Sequence, residues 1–178
     1  MFVHMIVGPM FANKTERLIL EINREPYANR TVGCFKPMTD DRYARNKIVA
    51  HSGRSVDCTP IEFAEELLAY TDRYDTFVLD EVQFFDVGIV EAVRKLATAK
   101  KHVIGAGLNQ DWMGRPFGFV GDLLAMAGSI SLLDSHCSVC HALGTKTQKI
   151  AGENSTVDVG SGEKYEPRCC EHWKPEVE

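Results

Sequence analysis

Two residues near the start of the chain, Lys14 and Thr15, have the types and the position needed to hold a phosphate group. They close a run that follows the apolar segment 2–7, and the run consists of Gly8, Pro9, Met10, Phe11, Ala12, Asn13, Lys14 and Thr15. A glycine-led loop that ends in Lys-Thr between a strand and a helix is typical of a phosphate-binding loop, whose backbone N–H groups face phosphate oxygens. In such a loop Lys14 reaches the β- and γ-phosphates, and the hydroxyl of Thr15 binds Mg²⁺. Taken by itself, the stretch also fits an ordinary strand-to-helix turn.

A second set of reactive side chains follows the apolar strand predicted over 76–79. Asp80 and Glu81 come directly after it, at the sheet edge where ligands bind in open α/β folds and where an acidic residue holds Mg²⁺. Because neighbours on a strand point to opposite faces, we expect one carboxylate to face a metal and the other an acceptor. Gln83 and Phe84 then offer a polar group and a flat apolar surface to a planar substrate. The alternative is a strand that ends in a helix N-cap.

The loop departs from its usual pattern at Asn13, where a second glycine is expected. Asparagine tolerates left-handed backbone angles better than other non-glycine residues, so we expect the loop to form. Its backbone is less free than with glycine, which predicts a weaker grip on phosphate or, at the extreme, lost activity. The presence of Lys14, Thr15 and Glu81 together favours an active protein.

The C-terminal part of the chain carries a predicted zinc site. Two pairs of soft ligands, each pair separated by two residues, are Cys137, Cys140, Cys169 and His172. Such a Cys₃His set fills a tetrahedral zinc ion and leaves no open position, so we expect the metal to be structural and to stabilise a segment too short for its own core. Cys170 is the spare cysteine, and His136 or His141 is an alternative ligand with poorer spacing. Six unrelated reduced cysteines are the other interpretation.

Alternating strands and helices are expected to position these groups. Strands are predicted over 2–7, 31–36, 55–58, 76–79, 102–108 and 129–133, and helices over 15–25, 59–70, 87–99 and 123–127. The pattern implies a mostly parallel sheet covered on both faces. Thr59 and Glu62 are expected to form a capping box at the start of the 59–70 helix. The polar segment 38–54 is predicted to be irregular, and the loop 109–118 is a candidate lid.

Composition limits the kinds of partner. The 178 residues are 44% hydrophobic and 25% charged with a formal charge of −5, which indicates a globular protein and argues against nucleic acid or an anionic membrane as the main partner. No apolar run is long enough to span a bilayer. The N-terminal segment lacks the features of a signal peptide, so we expect a cytoplasmic location and reduced or metal-bound cysteines.

Together the motifs resemble the zinc-containing thymidine kinases of bacteria, viruses and animal cytosol. The resemblance covers nearly the whole chain, and its landmarks are the segments 8–11, 80–85 and 114–118 and the pair Lys164-Tyr165 before Cys169. It implies an α/β fold of the P-loop NTPase (RecA-like) type over 1–134, with a mostly parallel sheet and helices on both faces. A zinc ribbon with a substrate-covering loop would occupy 135–178.

The resemblance also implies an activity and roles for residues. It implies transfer of the γ-phosphate of ATP to the 5′-hydroxyl of thymidine or deoxyuridine, giving dTMP for nucleotide salvage, with Glu81 as the base. Beyond the phosphate loop, the residues implied to contact ATP are Asp41, Arg42, Asp80, Glu81, Val82 and Gln83. The magnesium ligands would be Thr15 and Asp80, and the residues implied to bind the nucleoside are Phe84, Leu108, Phe117 and Tyr165. A homotetramer inhibited by dTTP is the usual state of the family.

Two functions of other classes remain open. A P-loop ATPase coupled to motion or assembly would need a water-positioning residue and an arginine finger, for which Arg115 is a candidate. A zinc-ribbon binding module with a degenerate loop is the second. Its basic residues are mixed with acidic ones, so nucleic acid is not favoured as its partner. Within the kinase interpretation, the base is expected to be read through backbone groups, so the sequence does not choose between nucleosides.

Overall fold

A six-stranded parallel sheet forms the centre of the molecule in the computed structural model, which describes residues 2–39, 45–152 and 162–175. Asp41 and Arg42 lie outside these ranges. The strands are β1 (Phe2–Val7), β2 (Val32–Pro37), β3 (Lys47–Val49), β4 (Ser55–Asp57), β5 (Thr59–Ile61), β6 (Thr76–Leu79), β7 (His102–Gly107), β8 (Ser129–Leu132), β9 (Ser135–His136), β10 (Leu143–Gly144), β11 (Lys146–Lys149) and β12 (Tyr165–Arg168). The α-helices are α1 (Lys14–Arg24), α2 (Gly88–Thr98) and α3 (Val120–Met126), and 3-10 helices cover Glu25–Ala28, Ala64–Tyr70 and Val82–Phe84.

The strand order places the two reactive segments at one edge of the sheet. The order is β5-β2-β6-β7-β1-β8, and β7 pairs in parallel with both β1 and β6. Because the strands are parallel, the phosphate loop after β1 and the carboxylates after β6 leave the sheet on the same side. With β7 between them, the two strands lie about 10 Å apart.

Helices cover both faces of this sheet, because successive side chains of a buried strand point to opposite faces. Val3, Met5 and Val7 of β1 belong to a core cluster under α2, α3 and the 3-10 helix Ala64–Tyr70. Ile6 belongs to the opposite cluster, which α1 covers. The predicted fold class, a mostly parallel α/β sheet with helices on both faces, is therefore confirmed.

Helix α1 follows directly from its sequence. Leu18 and Ile22 are one turn apart and are 0% and 9% exposed, and burial of each such side chain stabilises the fold by about 1.5–3 kcal/mol. Glu21, 8% exposed, is buried beside them and forms an i,i+4 ion pair with Arg17 at 2.8 Å. The α-helix ends at Arg24, shortly before Pro26, which cannot continue it.

The predicted capping box at Thr59 is wrong. Thr59–Ile61 is β5, the edge strand beside β2, where the missing N–H of a proline is tolerated. The helical segment begins at Ala64 as a 3-10 helix, because Asp86 Oδ1 accepts the Ala64 N–H at 2.7 Å. Glu66 Oε1 also accepts the N–H of Phe63 at 2.7 Å. The predicted irregular segment 38–54 likewise contains β3, which pairs antiparallel with β4.

The C-terminal ribbon consists of two small antiparallel sheets, β9 with β10 and β11 with β12. It packs on the loop that follows β7. Lys146 Nζ donates to Gln110 Oε1 at 2.7 Å, and the indole N–H of Trp173 donates to the carbonyl of Trp112 at 3.2 Å. Within the described ranges, no helix has the length and apolar character needed to cross a membrane.

Candidate active site

Lys14 and Glu81, which are far apart in the sequence, line the same cleft. The cleft has a volume of about 510 Å³, part of it open to solvent. Among the described residues, its lining consists of Met10, Phe11, Asn13, Lys14, Thr15, Glu16, His51, Glu81 and Leu108. The phosphate loop and a strand-end carboxylate therefore face a common space, as a reaction between a phosphate and a second substrate requires.

The phosphate loop is packed tightly at its start and folded back at its end. A Cβ on Gly8 would lie 2.4 Å from the carbonyl oxygen of Leu133, so only glycine fits this position without a shift of backbone. At the other end, Lys14 Nζ donates to the carbonyl of Pro9 at 2.6 Å. This contact holds the ammonium group over the loop, at the mouth of the cleft that it lines.

Asn13 adopts the left-handed conformation that glycine would take at this position, with φ 55° and ψ 32°. It is the N-cap residue of α1, and its carbonyl accepts the N–H of Arg17 at 3.0 Å. The loop thus forms with asparagine in place of glycine. Helix α1 begins at Lys14, so its first N–H groups, those of Lys14 and Thr15, lie beside the cleft. Such N-terminal N–H groups of a helix bind anions.

A sharp turn separates the two carboxylates. Strand β6 ends at Leu79, and Glu81 has left-handed backbone angles (φ 52°, ψ 46°). Such angles cost a non-glycine residue about 1–2 kcal/mol, and strain of this kind clusters at functional sites. Glu81 lines the cleft, whereas Asp80 is 6% exposed and its N–H donates to Phe35 at 3.0 Å. The different surroundings of the two carboxylates thus result from the turn and not from strand alternation.

Val82 and Gln83 are buried beneath Glu81, with exposed fractions of 1% and 3%. Val82 belongs to the apolar core. Gln83 Nε2 donates to Glu81 Oε2 at 2.5 Å, and its Oε1 accepts the N–H of Leu108 at 3.0 Å. We expected both residues to contact the nucleotide; Gln83 is joined to the site through Glu81 and Leu108, and Val82 packs in the core.

Two lining residues, Glu16 and His51, were not predicted. His51 lies at the tip of the hairpin formed by β3 and β4, and its ring centroid is 5.8 Å from that of Phe11. The hairpin tip is attached to α1 because the N–H of Ser52 donates to Glu16 Oε1 at 3.3 Å. Glu16 follows the Lys-Thr pair directly, which is a usable signal. His51 lies in a polar segment without periodicity, so nothing in the sequence connects it to the loop.

The residues expected to bind the nucleoside base fall into two groups. Leu108 lines the cleft, and Phe84 and Phe117 form an edge-to-face pair with centroids 5.5 Å apart. Tyr165 lies in the ribbon instead, buried, with Lys149 Nζ 5.8 Å from its ring centroid. The first group comes from the segments that follow β6 and β7, and Tyr165 comes from β12 of the ribbon.

The ribbon also touches the phosphate loop itself. The N–H of Met10 donates to Thr147 Oγ1 at 3.0 Å, across 137 positions of sequence. A Cβ on Gly162 would lie 3.8 Å from the Phe11 ring, so the segment of the ribbon just before β12 borders the same loop. The loop is therefore held between the sheet and the ribbon.

The predicted zinc ligands converge. One ligand atom from each of Cys137, Cys140, Cys169 and His172 lies within 4.8 Å of the others. The Sγ atoms of Cys140 and Cys169 are 3.7 Å apart, and His172 Nδ1 lies 3.9 Å from Cys137 Sγ and 3.2 Å from Cys169 Sγ. A tetrahedral zinc ion with Zn–S bonds of about 2.3 Å needs ligand separations of about 3.8 Å. The donor set thus fits a closed, structural zinc site.

The surroundings of Cys137 favour the metal-binding form of its thiol. Burial raises the pKa of this thiol, but the backbone N–H groups of Cys140, Cys169 and Val139 outweigh burial, so the pKa is lowered to about 6. A lowered pKa favours the thiolate, which is the form that binds zinc. Cys170, the neighbour of a ligand, is exposed and lies outside the cluster.

The chain was compared with protein-family models, with named proteins and with solved structures. The family model "TK: Thymidine kinase" matches residues 1–173. A protein named thymidine kinase from Rhodothermus sp. (strain ITI 518) is 37% identical over 174 residues, which is 98% of this chain and 82% of that protein. A solved structure titled "crystal structure of DNA replication initiation factor" aligns with 75% of this chain and 40% of its own, at 14% identity and a TM-score of 0.43. That last likeness is too weak to bear on fold or function.

Proposed function

Since the chain belongs to the thymidine kinase family, we propose that it transfers the γ-phosphate of ATP to the 5′-hydroxyl of thymidine. Deoxyuridine is the second acceptor that we propose, and the product is the nucleoside 5′-monophosphate of nucleotide salvage. The observation that carries the proposal is the shared cleft of Lys14 and Glu81. A cation for the phosphates and a carboxylate for the alcohol are the two groups that this phosphoryl transfer needs.

The phosphate loop binds ATP in this proposal. The remaining N–H groups of segment 8–15, apart from Pro9, which has none, and Met10, which donates to Thr147, would face the phosphate oxygens together with those of the first turn of α1. Lys14 would neutralise the phosphate charge. Thr15 and Asp80 would hold Mg²⁺, because a hydroxyl and a carboxylate are the hard oxygen ligands that this ion prefers. When bound, the ion neutralises charge on the β- and γ-phosphates. Asp41 and Arg42 are proposed as further contacts of the phosphates.

Glu81 is the proposed base. Its carboxylate takes the proton of the 5′-hydroxyl as the hydroxyl oxygen bonds to the γ-phosphorus, and the bond to the β,γ-bridging oxygen breaks to leave ADP. Such transfers need little covalent work from the protein, so most of the rate enhancement comes from orientation and charge neutralisation. The left-handed turn at Glu81 fits this role because it directs the carboxylate towards the cleft.

The nucleoside is proposed to bind where the strand ends meet the ribbon. Leu108 and the aromatic pair Phe84–Phe117 supply apolar contacts for the base. The loop 109–117 and the ribbon segment around Tyr165 would close over it. On the family premise we also propose a cytoplasmic homotetramer with a structural zinc ion in each chain. dTTP is the proposed feedback inhibitor, and nucleic acid is not a main partner.

A nucleoside panel tests the proposal. The protein is incubated with ATP and Mg²⁺ and with each of thymidine, deoxyuridine, deoxycytidine, deoxyadenosine and deoxyguanosine, and 5′-monophosphates are separated and counted. We expect product from thymidine and deoxyuridine, one ADP per monophosphate, and no ADP without nucleoside. ADP formation that needs no nucleoside would overturn the proposal in favour of an ATPase. Salt-sensitive DNA binding without any turnover would favour a binding module.

A further inference from the structure

Gln83 is enclosed between two functional segments. It lies in the 3-10 helix Val82–Phe84, two residues after Glu81, and is 3% exposed. Its Oε1 accepts the backbone N–H of Leu108 at 3.0 Å, and its Nε2 donates to Glu81 Oε2 at 2.5 Å. A backbone N–H can only donate, so the amide oxygen must face Leu108 and the amide N–H₂ must face the carboxylate. The side chain therefore connects the end of β6 to the end of β7 in a defined sense.

Two glycines make room for Gln83. A Cβ on Gly107 would lie 2.3 Å from Gln83 Oε1, and a Cβ on Gly118 would lie 2.4 Å from the Gln83 carbonyl oxygen. Gly118 also has a positive φ of 54°, which favours glycine independently of space. The backbone of Gly107 thus lies close to the side-chain amide of Gln83, and the backbone of Gly118 lies close to its main chain, so a larger residue at either position would displace Gln83.

We infer that Gln83 is a positioning residue for the base and not a nucleotide ligand, an inference that rests on the proposed function of Glu81. The hydrogen bond from Gln83 fixes the direction of the Glu81 carboxylate in the cleft. The bond to Leu108 fixes the same carboxylate relative to a residue that lines the cleft. Gln83 thereby links Glu81, the proposed general base, to Leu108 at the end of β7, where the acceptor nucleoside is proposed to bind.

The substitution Gln83→Glu tests this role because it changes little more than a donor into an acceptor. Two carboxylates at this distance repel, so the pair in the variant keeps a shared proton up to a higher pH and Glu81 is less available as a base. We expect the acid limb of the pH profile of kcat/KM for the nucleoside to move up by about one pH unit or more. At neutral pH kcat falls by about tenfold or more, and the affinity for a non-hydrolysable ATP analogue stays within about twofold. Thr98→Glu adds the same charge at an exposed end of α2 and should leave the profile unmoved.

A double-mutant cycle gives a second readout that needs no activity. Glu81→Gln combined with Gln83→Glu reverses donor and acceptor, so the double variant should be more stable than the sum of the two single changes predicts. Should Gln83→Glu fail to fold, Gln83→Met replaces it in the cycle, and its kcat compared with its affinity for the ATP analogue replaces the pH profile, because methionine has no N–H to hold the Glu81 carboxylate. Additive unfolding free energies, an unmoved acid limb, or a loss confined to ATP affinity would each overturn the inference. Coupling in the cycle without any kinase activity would overturn the proposed function and keep the link between the two side chains.

Discussion

At the scale of single residues, the proposed reaction depends most on Glu81. The structure gives it a strained backbone and a place in the cleft with Lys14. We expect Glu81→Gln to keep nucleoside binding and to lower kcat by about 100-fold or more, because a positioned general base contributes about 10²–10⁴ to the rate. The measurement is kcat with a direct nucleoside titration of the same preparation.

Glu16 provides a matched control for that change. It lies in the same cleft, and its side chain is occupied with the hairpin at Ser52 and Arg54. Glu16→Gln removes one negative charge from the lining without removing the proposed base, and we expect a much smaller loss of kcat. Equal losses in the two variants would show that the cleft needs its charge and not a base at position 81.

Asn13 yields a prediction about backbone conformation. Its φ of 55° is accessible to glycine and asparagine and is strained for a β-branched residue. Asn13→Gly should therefore keep kcat and give an equal or lower KM for ATP, whereas Asn13→Val should raise that KM by about tenfold or more. Steady-state ATP titrations and thermal unfolding of both variants provide the measurement. Equal KM values for glycine and valine would mean that the conformation at position 13 does not shape the phosphate site.

At the scale of elements, the contact between β11 and the phosphate loop should matter for ATP. Thr147 is 5% exposed, and its hydroxyl accepts the N–H of Met10. Thr147→Val keeps the shape and removes the acceptor, which leaves a backbone donor without this partner at a cost of about 1–3 kcal/mol. We expect lower stability and a weaker hold on an ATP analogue, with both restored by Thr147→Ser. Denaturant unfolding and analogue titration measure the two effects, and identical behaviour of valine and serine would refute the role.

The parallel sheet could be predicted from the sequence because its elements are local. Alternating apolar runs and amphipathic segments predict β1, α1, β6, α2 and β7, and their parallel arrangement follows from the helices between them. The edge strand β5 was missed because Thr-Pro before Glu fits a helix start equally well, and only pairing with β2 decides for a strand. Tertiary pairing of this kind is not encoded in a window of a few residues.

The residues of the candidate site that belong to a recognisable motif could be predicted from the sequence. Those that the fold brings to the site from elsewhere could not. The types and spacing of Lys14, Thr15 and Glu81 point to phosphate chemistry without a structure. His51 reaches the cleft only because a hairpin is attached to α1. Gln83 was expected to contact the nucleotide, yet a turn at the preceding residues buries its side chain. Its role depends on the backbone angles of a neighbour, which no residue pattern reports.

At the scale of the whole molecule, the zinc site should affect the binding of both ATP and nucleoside. The ribbon contacts the phosphate loop through Thr147 and the candidate lid through Lys146 and Trp173. Removal of zinc by a chelator should therefore unfold the ribbon and weaken the binding of ATP and of nucleoside together. Circular dichroism and titration of each ligand, with and without metal, provide the measurement.

Two cysteine variants separate zinc loss from side effects of the chelator. Cys140→Ser removes a ligand of the cluster and should reproduce the effect of chelation, whereas Cys170→Ser changes an exposed thiol outside it and should retain metal and activity. Full nucleoside affinity in metal-free protein would contradict a covering role for the ribbon.

The position of β1 in the sheet has a consequence for biosynthesis. Both neighbours of this first strand come late in the chain, β7 from His102–Gly107 and β8 from Ser129–Leu132. During translation, β1 has neither flanking strand until residues beyond 100 have left the ribosome, and such long-range pairing closes slowly. The phosphate loop after β1 therefore cannot be fixed in place before β7 and β8 have been made, and we expect the apolar strand β1 to depend on chaperone protection until then.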